Sequence, residues 1–253
     1  MITLSININK VALLRNSRDT RIPDVVDYAQ KCVSHGAHSI TVHPRPDQRH
    51  IRVDDCYALA RVLKVEFNIE GNPFSPAMLS QRKGVSDYPG FMALIEAIKP
   101  AQCTLVPDAN DQLTSDHGFD LERDAEKLEP ILAQLRQWGV RSSVFVDPNP
   151  KTVGLAKTLG ADRVELYTET YAAAYENGKG LSTFELFRET ALAAHEAGLG
   201  INAGHDLNLE NLPLFATLPH LTEVSIGHAL TVDALYMGLP KTVSAYLAAL
   251  QPR

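Results

Sequence analysis

The chain has 253 residues, of which 45% are hydrophobic and 21% are charged, which is ordinary for a globular protein. The net charge is −6 with no block of either sign, so neither a nucleic-acid-binding face nor a polybasic membrane patch is predicted. The three cysteines lack Cys-x-x-Cys spacing, and no apolar run reaches the ~18 residues of a membrane helix, so we expect reduced thiols, no membrane contact and a cytoplasmic location.

Short apolar segments rich in β-branched residues recur along the whole chain, and a segment with helical periodicity follows each of them. They read as near-continuous hydrophobic runs, as expected for parallel strands that helices cover on their outer face. Eight strands are predicted, at residues 2–8, 38–42, 65–69, 102–106, 142–146, 163–166, 199–201 and 223–226.

The intervening segments have the apolar stripe and the end signals of amphipathic helices. Leu128, Leu132 and Leu135 share one stripe before Gly139, and Phe184 and Phe187 begin another before Gly198. Glycine is the preferred residue just after a helix, and short polar side chains are preferred at its start. The residues that we expect near helix starts are Asp24, Asp120, Asn149 and Thr183.

Eight strand-then-helix units without a break in composition favour one closed (β/α)8 TIM barrel over an open doubly wound sheet. No Gly-x-Gly-x-x-Gly motif follows the first strand, which weakens the dinucleotide-binding alternative. We therefore predict a single domain over residues 1–253. The segment at about 71–91 is rich in Pro, Ser and Gly and is predicted to be a long loop after the third strand.

Polar residues follow the ends of most predicted strands, where barrel enzymes carry their active sites. Histidine, glutamate and asparagine recur there, whereas a solvated rim would more often use Lys, Asp and Ser. A single histidine at such a position is still more often structural, and Asp147 is most simply the start of the next helix. The strand-end residues are Asn7, Asn9, His43, Arg45, Glu70, Asp147, Glu165, Asn202, His205 and His228.

Two anion sites are predicted at these ends. Gly227-His228 opens a helix directly after the eighth strand, so its backbone N–H groups suit a phosphate, although a tight turn without a ligand also explains the glycine. Arg45 and His50 supply two donors for a second anion. No zinc, calcium or magnesium motif is present, and a metal held by His43, Glu70 and His205 is the weaker alternative.

Seven stretches of the chain resemble the pyridoxine 5′-phosphate synthase family, which closes the pyridine ring of vitamin B6. The most specific are Thr41-Val42-His43 followed by Arg45 and Arg49-His50-Ile51, and later Asn202-Ala203-Gly204-His205. The stretches occur in family order over nearly the whole chain. They are residues 7–18, 40–51, 68–70, 105–114, 164–168, 202–205 and 226–229.

The resemblance implies a barrel with extra helices, assembled as a homo-octamer, that uses no cofactor and no metal. It implies two phosphorylated substrates, 1-deoxy-D-xylulose 5-phosphate and 3-amino-2-oxopropyl phosphate. Their condensation gives pyridoxine 5′-phosphate, phosphate and water. Because Schiff-base formation, phosphate elimination and ring closure each move protons, several groups that titrate near neutral pH are needed.

The resemblance also implies residue roles. His43 and Glu70 match general bases, His205 matches the general acid, and Glu165 matches a residue that stabilises charge in the transition state. We expect burial to raise the pKa of Glu70 towards a useful value. The phosphate-binding matches are Asn7, Arg18, Gly227 and His228 for the aminoketone substrate, and Arg45, His50 and Thr114 for the deoxyxylulose substrate.

The chain departs from the family pattern in four places. Asn9-Lys10 replaces Asp-His, so proton transfer assigned to that histidine is in doubt, but both residues remain candidates for substrate binding. Asp206 replaces a glycine and remains a candidate through its backbone N–H, although a carboxylate near phosphate is unfavourable. Tyr167 replaces a histidine, and the loop after Glu70 is longer by roughly a dozen residues.

Two other functions remain open from the sequence. One is a barrel lyase or aldolase in which Lys10 forms a Schiff base with a sugar phosphate. The other is a catalytically silent relative that binds phosphorylated ligands or acts as an assembly partner. The presence of His43, Glu70 and His205 argues against the silent relative.

Overall fold

Eight parallel strands close into one barrel, which confirms the predicted fold class. The structure, a computed structural model, describes residues 1–18, 20–109, 112 and 115–251. Each strand pairs with its neighbours in the chain, and the first pairs with the last to close the barrel. The strands are β1 (Thr3–Asn7), β2 (Ser39–Val42), β3 (Glu66–Gly71), β4 (Gln102–Leu105), β5 (Arg141–Val146), β6 (Arg163–Tyr167), β7 (Gly200–Gly204) and β8 (Leu221–Ile226).

Helices follow the strands, and three connections carry two helices instead of one. These are the connections from β1 to β2 and from β6 to β7, and the segment after β8. The helices are α1 (Asn9–Asn16), α2 (Val25–Ser34), α3 (Val53–Val62), α4 (Phe91–Ile98), α5 (Ala125–Trp138), α6 (Leu155–Leu159), α7 (Glu169–Glu176), α8 (Gly180–Glu196), α9 (Leu212–Phe215), α10 (His228–Met237) and α11 (Leu239–Ala249).

The helix signals in the sequence were mostly right. Leu128, Leu132 and Leu135 are the buried residues of α5, and Gly139 ends that helix in the left-handed conformation. Asp24 caps α2 by accepting hydrogen bonds from the N–H groups of its first turn. The other three predicted helix starts, Asp120, Asn149 and Thr183, were wrong. The helices α5, α6 and α8 begin at Ala125, Leu155 and Gly180.

One strand bound, the end of β7, differs from the prediction in a way that matters for the site. β7 continues to Gly204, whereas it was predicted to stop at residue 201. Asn202 therefore lies in the middle of a strand and not at its end. Its amide donates to Gln102 Oε1 at 3.3 Å and accepts from Arg163 Nη1 at 3.0 Å, so its side chain belongs to the barrel interior.

The strands alternate between apolar and polar positions, which corrects the near-continuous hydrophobic runs expected from the sequence. Leu4 and Ile6 belong to the apolar core, whereas Ser5 between them hydrogen bonds to Thr41 at 2.7 Å. Gln102 of β4 donates to Glu223 of β8 at 3.2 Å. Because β4 and β8 are not neighbours, that contact crosses the inside of the barrel. The barrel interior is therefore filled by hydrogen-bonded polar side chains.

The segment between β3 and α4 lies against the β2–α3 connection. Met78 and Tyr88 pair as an antiparallel bridge within it, and Tyr88 is buried. Gln48 donates to the carbonyl of Ser86 at 2.9 Å, and the Ser86 hydroxyl contacts Asp54 at 2.6 Å. These contacts hold the segment beside the carboxyl end of β2. Within the described part of the chain, none of the helices has the length and apolarity required to cross a membrane.

Candidate active site

The end of β1 connects three strands through two asparagines. Asn7 Nδ2 lies 3.4 Å from Glu70 Oε2 at the end of β3, and Asn7 Oδ1 accepts from the N–H of Asn9 at 3.0 Å. Asn9 Oδ1 in turn accepts from the N–H of His43 at 2.9 Å. An amide oxygen is sufficient for that contact, so the change from aspartate to Asn9 keeps the position of His43.

His43 is buried directly after β2 and is held neutral. Burial, and the positive charges of Arg45 and Arg49, lower its pKa to about 3. Asp108 Oδ2 lies 3.5 Å from His43 Nε2, but it lies closer, at 2.6 Å, to Arg45 Nη2. A neutral imidazole has a free lone pair on one ring nitrogen, which a general base requires.

Asp108 is a site residue that the sequence-based prediction missed. Its carboxylate accepts from Arg45 Nη2 at 2.6 Å and from the Ser115 hydroxyl at 3.0 Å. Arg45 Nη1 also donates to the carbonyls of Ala109 and Gln112. Asp108 lies in the segment after β4, as His43 lies in the segment after β2. A search for polar residues after the fourth predicted strand would therefore have found it.

A small cavity of about 10 Å³ lies beside this ion pair, close to the volume that one water molecule occupies. His43, Arg45 and Asp108 line one side of it, and Asn72 and Tyr88 line another. The loop after β3 therefore forms part of the wall around the predicted deoxyxylulose-phosphate site.

His50 offers a neutral donor near the same place. Its Nδ1 accepts from the N–H of Ile51 at 2.9 Å, so in the neutral ring Nε2 carries the hydrogen. Burial, and the neighbouring His43, Arg45 and Arg49, hold the pKa of His50 well below its usual value. An anion at this position would receive a hydrogen bond from His50 and charge from Arg45.

Glu70 and Glu165 place two carboxyl groups inside the upper part of the barrel. Burial, followed by the charges of Glu165 and Asp108, raises the pKa of Glu70 well above its usual value. Burial, followed by the charge of Glu223, raises the pKa of Glu165 to about 8. Like charges in a dry cavity cannot all ionise, so both carboxyl groups hold their protons more tightly than an exposed glutamate does. Glu165, with its pKa of about 8, can exchange its proton near neutral pH.

Glu165 is fixed from two sides. Thr104 of β4 donates to its Oε2 at 3.4 Å. On β7, a Cβ placed on Gly204 would lie 2.5 Å from Glu165 Oε1, so only glycine leaves room for the carboxyl group. Gly204, the glycine of Asn202-Ala203-Gly204-His205, therefore leaves space for the Glu165 side chain inside the barrel.

His205 and Asp206 form a turn directly after β7, and both have a positive φ, +94° and +56°. His205 Nδ1 lies 2.7 Å from Asp206 Oδ2. The ring of Tyr167 meets the His205 ring edge-on, with centroids 5.1 Å apart. Tyr167 therefore occupies the family's histidine position as a packing partner of His205.

Gly227 and His228 start α10 directly after β8. A Cβ on Gly227 would lie 3.2 Å from Asn7 Cβ, so the glycine allows the end of β8 to approach the end of β1. The hydrogen bond that Asp206 accepts from His205 lowers the pKa of Asp206 and outweighs burial, which raises it. The charges of His205, His228 and Lys10 lower this pKa further. Lys10 and His228 are exposed. The α10 terminus, Lys10 and the His205 turn therefore lie together.

Two sequence-predicted residues, Arg18 and Asp147, stand apart from this cluster. Arg18 is exposed just beyond the end of α1, and its role stays a prediction. Thr114 lies outside the described residues. Asp147 is exposed after β5 and lies 3.4 Å from the N–H of Gly118. It was expected to start the next helix, which was wrong, because α6 begins only at Leu155. Among the described residues, no three His, Cys, Asp or Glu side chains are grouped closely enough to hold a metal ion.

Comparison with known protein families gives a match over nearly the whole chain. Residues 4–252 match the model of the family described as pyridoxal phosphate biosynthesis protein PdxJ. A pyridoxine 5′-phosphate synthase of Xanthomonas campestris pv. campestris (strain B100) is 54% identical over 249 residues, which cover 97% of this chain and 94% of the relative. One of Porphyromonas gingivalis (strain ATCC 33277) is 49% identical over 247 residues, 97% of this chain and 98% of the relative.

Solved structures of proteins with low sequence identity to this chain have the same fold. Tryptophan synthase from M. tuberculosis superposes with a TM-score of 0.61 at 12% identity, over all of this chain and 93% of that chain. Monomers of dimeric phosphoribosylanthranilate isomerase from Thermotoga maritima superpose with a TM-score of 0.57 at 10% identity, over 99% and 98%. At this identity the likeness concerns the barrel alone.

Proposed function

Because the chain belongs to the PdxJ family of pyridoxal phosphate biosynthesis proteins and is a pyridoxine 5′-phosphate synthase, we propose that the carboxyl end of its barrel condenses two phosphorylated substrates. The proposed pair is 1-deoxy-D-xylulose 5-phosphate and 3-amino-2-oxopropyl phosphate. The observation that carries the proposal is the convergence of His43, Glu70, Glu165 and His205 on one end of one barrel.

The acid–base roles follow from the environment of each group. Neutral His43 has a ring lone pair that can accept a proton, and its backbone N–H donates a hydrogen bond to Asn9 Oδ1. Burial and neighbouring carboxylates raise the pKa values of Glu70 and Glu165, that of Glu165 to about 8, so both groups are suited to proton exchange. His205, after β7, is the proposed general acid, and only β8 and β1 separate its strand from that of His43. Proton donors and acceptors from several strands suit a sequence of Schiff-base formation, elimination and ring closure.

The two phosphates are proposed to bind on opposite sides of these groups. The start of α10, at Gly227 and His228, offers backbone N–H groups to the aminoketone phosphate, with Asn7 beside it. Arg45 and His50 offer a guanidinium and a neutral N–H to the deoxyxylulose phosphate. Two fixed phosphates would hold the amine against the carbonyl and so remove much of the entropic barrier to condensation.

We also propose that the chain assembles with copies of itself, in line with the expected homo-octamer. Support comes from large exposed apolar side chains on α1, namely Leu13 and Leu14, and at the end of α10, namely Leu235 and Tyr236. Singly exposed apolar residues are common, but consecutive pairs on packed helices are typical of buried subunit contacts. Sedimentation equilibrium of the purified chain would test this proposal, and a monomer at all concentrations would contradict it.

The position of Lys10 does not favour the lyase alternative. Its side chain is exposed in the first turn of α1. A lysine that forms a Schiff base usually lies in a desolvating pocket, whereas the Lys10 side chain is exposed.

The direct test of the proposed function is product formation. The purified chain is incubated with both substrates, and pyridoxine 5′-phosphate and inorganic phosphate are measured by mass and by a phosphate assay. Product is expected with both substrates and not with either one alone. Absence of product with correctly folded protein, or borohydride trapping of a single substrate on Lys10, would contradict the proposal.

A further inference from the structure

We propose that Asp206 is a positioning residue for His205: it orients the imidazole and stabilises the charged ring, so that Nε2 is the nitrogen that delivers a proton to the substrate. This inference rests on the proposed function, in which His205 is the general acid. It gives a purpose to a carboxylate where the family pattern has glycine.

The hydrogen bond decides which ring nitrogen carries a proton. Asp206 Oδ2 lies 2.7 Å from His205 Nδ1, and an ionised carboxylate can only accept. Nδ1 therefore bears the hydrogen, and the lone pair of the neutral ring lies on Nε2. A carboxylate behind a catalytic imidazole acts in this way in other enzymes, where it fixes the tautomer and stabilises the charged ring.

The backbone holds the pair in this arrangement. His205 and Asp206 both adopt positive φ, which is uncommon for non-glycine residues and which aspartate tolerates better than most. The Thr168 hydroxyl donates to the carbonyl of Gly204 at 2.8 Å and also to that of His205. Asn211 donates to the carbonyl of Asp206 at 3.1 Å. A strained turn that is fastened on both sides is typical of a functional position.

The charges around the pair keep Asp206 ionised. Its pKa lies below the usual value, chiefly because of the hydrogen bond from His205, with smaller effects from the charges of His205, His228 and Lys10. Lys10 and His228 come from α1 and α10, so two positive groups offset the carboxylate beside the predicted phosphate site. Tyr167 faces the pair directly, and the charges of Glu169, Asp116 and Asp147 act on Tyr167 from its other neighbours. Glu165 lies inside the barrel against Gly204, the residue before the pair.

The arrangement also connects two of the departures from the family pattern. Lys10 replaces a histidine and Asp206 replaces a glycine, and their charges lie within range of each other. The positive charge of Lys10 therefore partly offsets the negative charge that Asp206 adds. Removing the carboxylate alone should leave phosphate binding almost unchanged but weaken the acid.

The test compares Asp206→Asn with the wild-type chain. Asparagine has the same size, tolerates the same φ and removes only the charge. The matched control is Asp27→Asn, which removes an exposed carboxylate that pairs with Lys31 at 2.6 Å on the outer helix α2. With histidines labelled by ¹⁵N, and His205→Asn to assign the signal, NMR reports the tautomer of His205 without any need for activity.

In the wild type we expect the hydrogen on Nδ1 of neutral His205. In Asp206→Asn we expect this preference to be lost, because an amide can donate to Nδ1 as well as accept from it. Fewer rings are then in the reactive tautomer, so kcat should fall while KM changes less than about twofold. The Asp27→Asn control should match the wild type in every readout.

A hydrogen on Nε2 in the wild type, or an unchanged tautomer and an unchanged kcat in Asp206→Asn, would overturn the inference. Failure of the proposed function and failure of this inference are distinguishable. A wild-type chain that makes no pyridoxine 5′-phosphate contradicts the proposed function, while the NMR measurement still decides the role of Asp206. Normal product formation with an unchanged tautomer in Asp206→Asn contradicts the role of Asp206 alone.

Discussion

Arg45 Nη2 lies 2.6 Å from Asp108 Oδ2, and this ion pair joins the segment after β2 to the segment after β4. Each side chain is only 5% exposed, so neither charge is solvated if its partner is removed. The pair thereby holds one wall of the predicted deoxyxylulose-phosphate site.

Removing Asp108 should destabilise the fold. Asp108→Ala leaves the buried guanidinium of Arg45 without its carboxylate, and we expect the free energy of unfolding to fall by about 3 kcal/mol. Asp108→Asn keeps a hydrogen-bond acceptor and should cost less. Chemical denaturation measures both. The control is Glu185→Ala, which breaks an exposed pair with Arg188 and should cost less than about 1 kcal/mol. Equal losses in Asp108→Ala and the control would contradict the account.

Glu70 and His205 should be indispensable for turnover. Glu70→Gln and His205→Asn keep the approximate size of each side chain but remove its proton exchange. We expect kcat to fall by about 100-fold or more in each, with unchanged circular dichroism. Glu96→Gln on the outer face of α4 removes an exposed carboxyl group and should leave kcat unchanged. Near-normal turnover in either site variant would contradict its assigned role.

Gly204→Ala should displace Glu165. The added Cβ would lie 2.5 Å from Glu165 Oε1 and 3.3 Å from the carbonyl of Ser225, so one of them must move. Overpacking of this kind costs about 1–3 kcal/mol, and displacement of a catalytic group by about 1 Å lowers kcat by about 100-fold. Gly154→Ala, whose Cβ meets only Ala197 Cβ at 3.6 Å, is the control. Similar kcat values for the two variants would show that Glu165 is not held by this contact.

Stability should depend on pH through Glu165. Folding raises its pKa from 4.5 to about 8, so between these values the folded chain holds a proton that the unfolded chain has released. The protonated Glu165 side chain makes its full contribution to the free energy of unfolding below about pH 4.5. This contribution is lost as the pH rises towards about 8. Glu165→Gln removes this dependence, so its free energy of unfolding should fall less from about pH 5 to about pH 8 than that of the wild type. Parallel slopes in urea titrations would contradict the raised pKa.

The order of strands and helices could be predicted because apolar stripes and terminal glycines are local signals. Gly139 and Asp24 mark helix ends whatever the rest of the chain does. The contacts inside the barrel could not be predicted in the same way. Gln102 reaches Glu223 only because the strands close into a barrel, and nothing in strands of four to six residues specifies that partner.

The site could be predicted where a residue type and a strand end coincided, as for His43 and Glu70. Asp108 was missed because an aspartate after a proline resembles an ordinary turn residue. Asn202 was placed at a strand end because Ala203 and Gly204, the last residues of β7, are not typical strand residues. Its partners in the barrel interior become visible only when the register with β8 is known.

The most direct test of the central claim is a crystal structure of the chain with inorganic phosphate. The account predicts two phosphate ions in one cavity, one at the N–H groups that begin α10 at Gly227 and His228, the other beside Arg45 and His50. His43, Glu70 and His205 should lie between them. Phosphate bound at only one of these places, or on separate surfaces of the barrel, would contradict the claim that both substrates meet at this end.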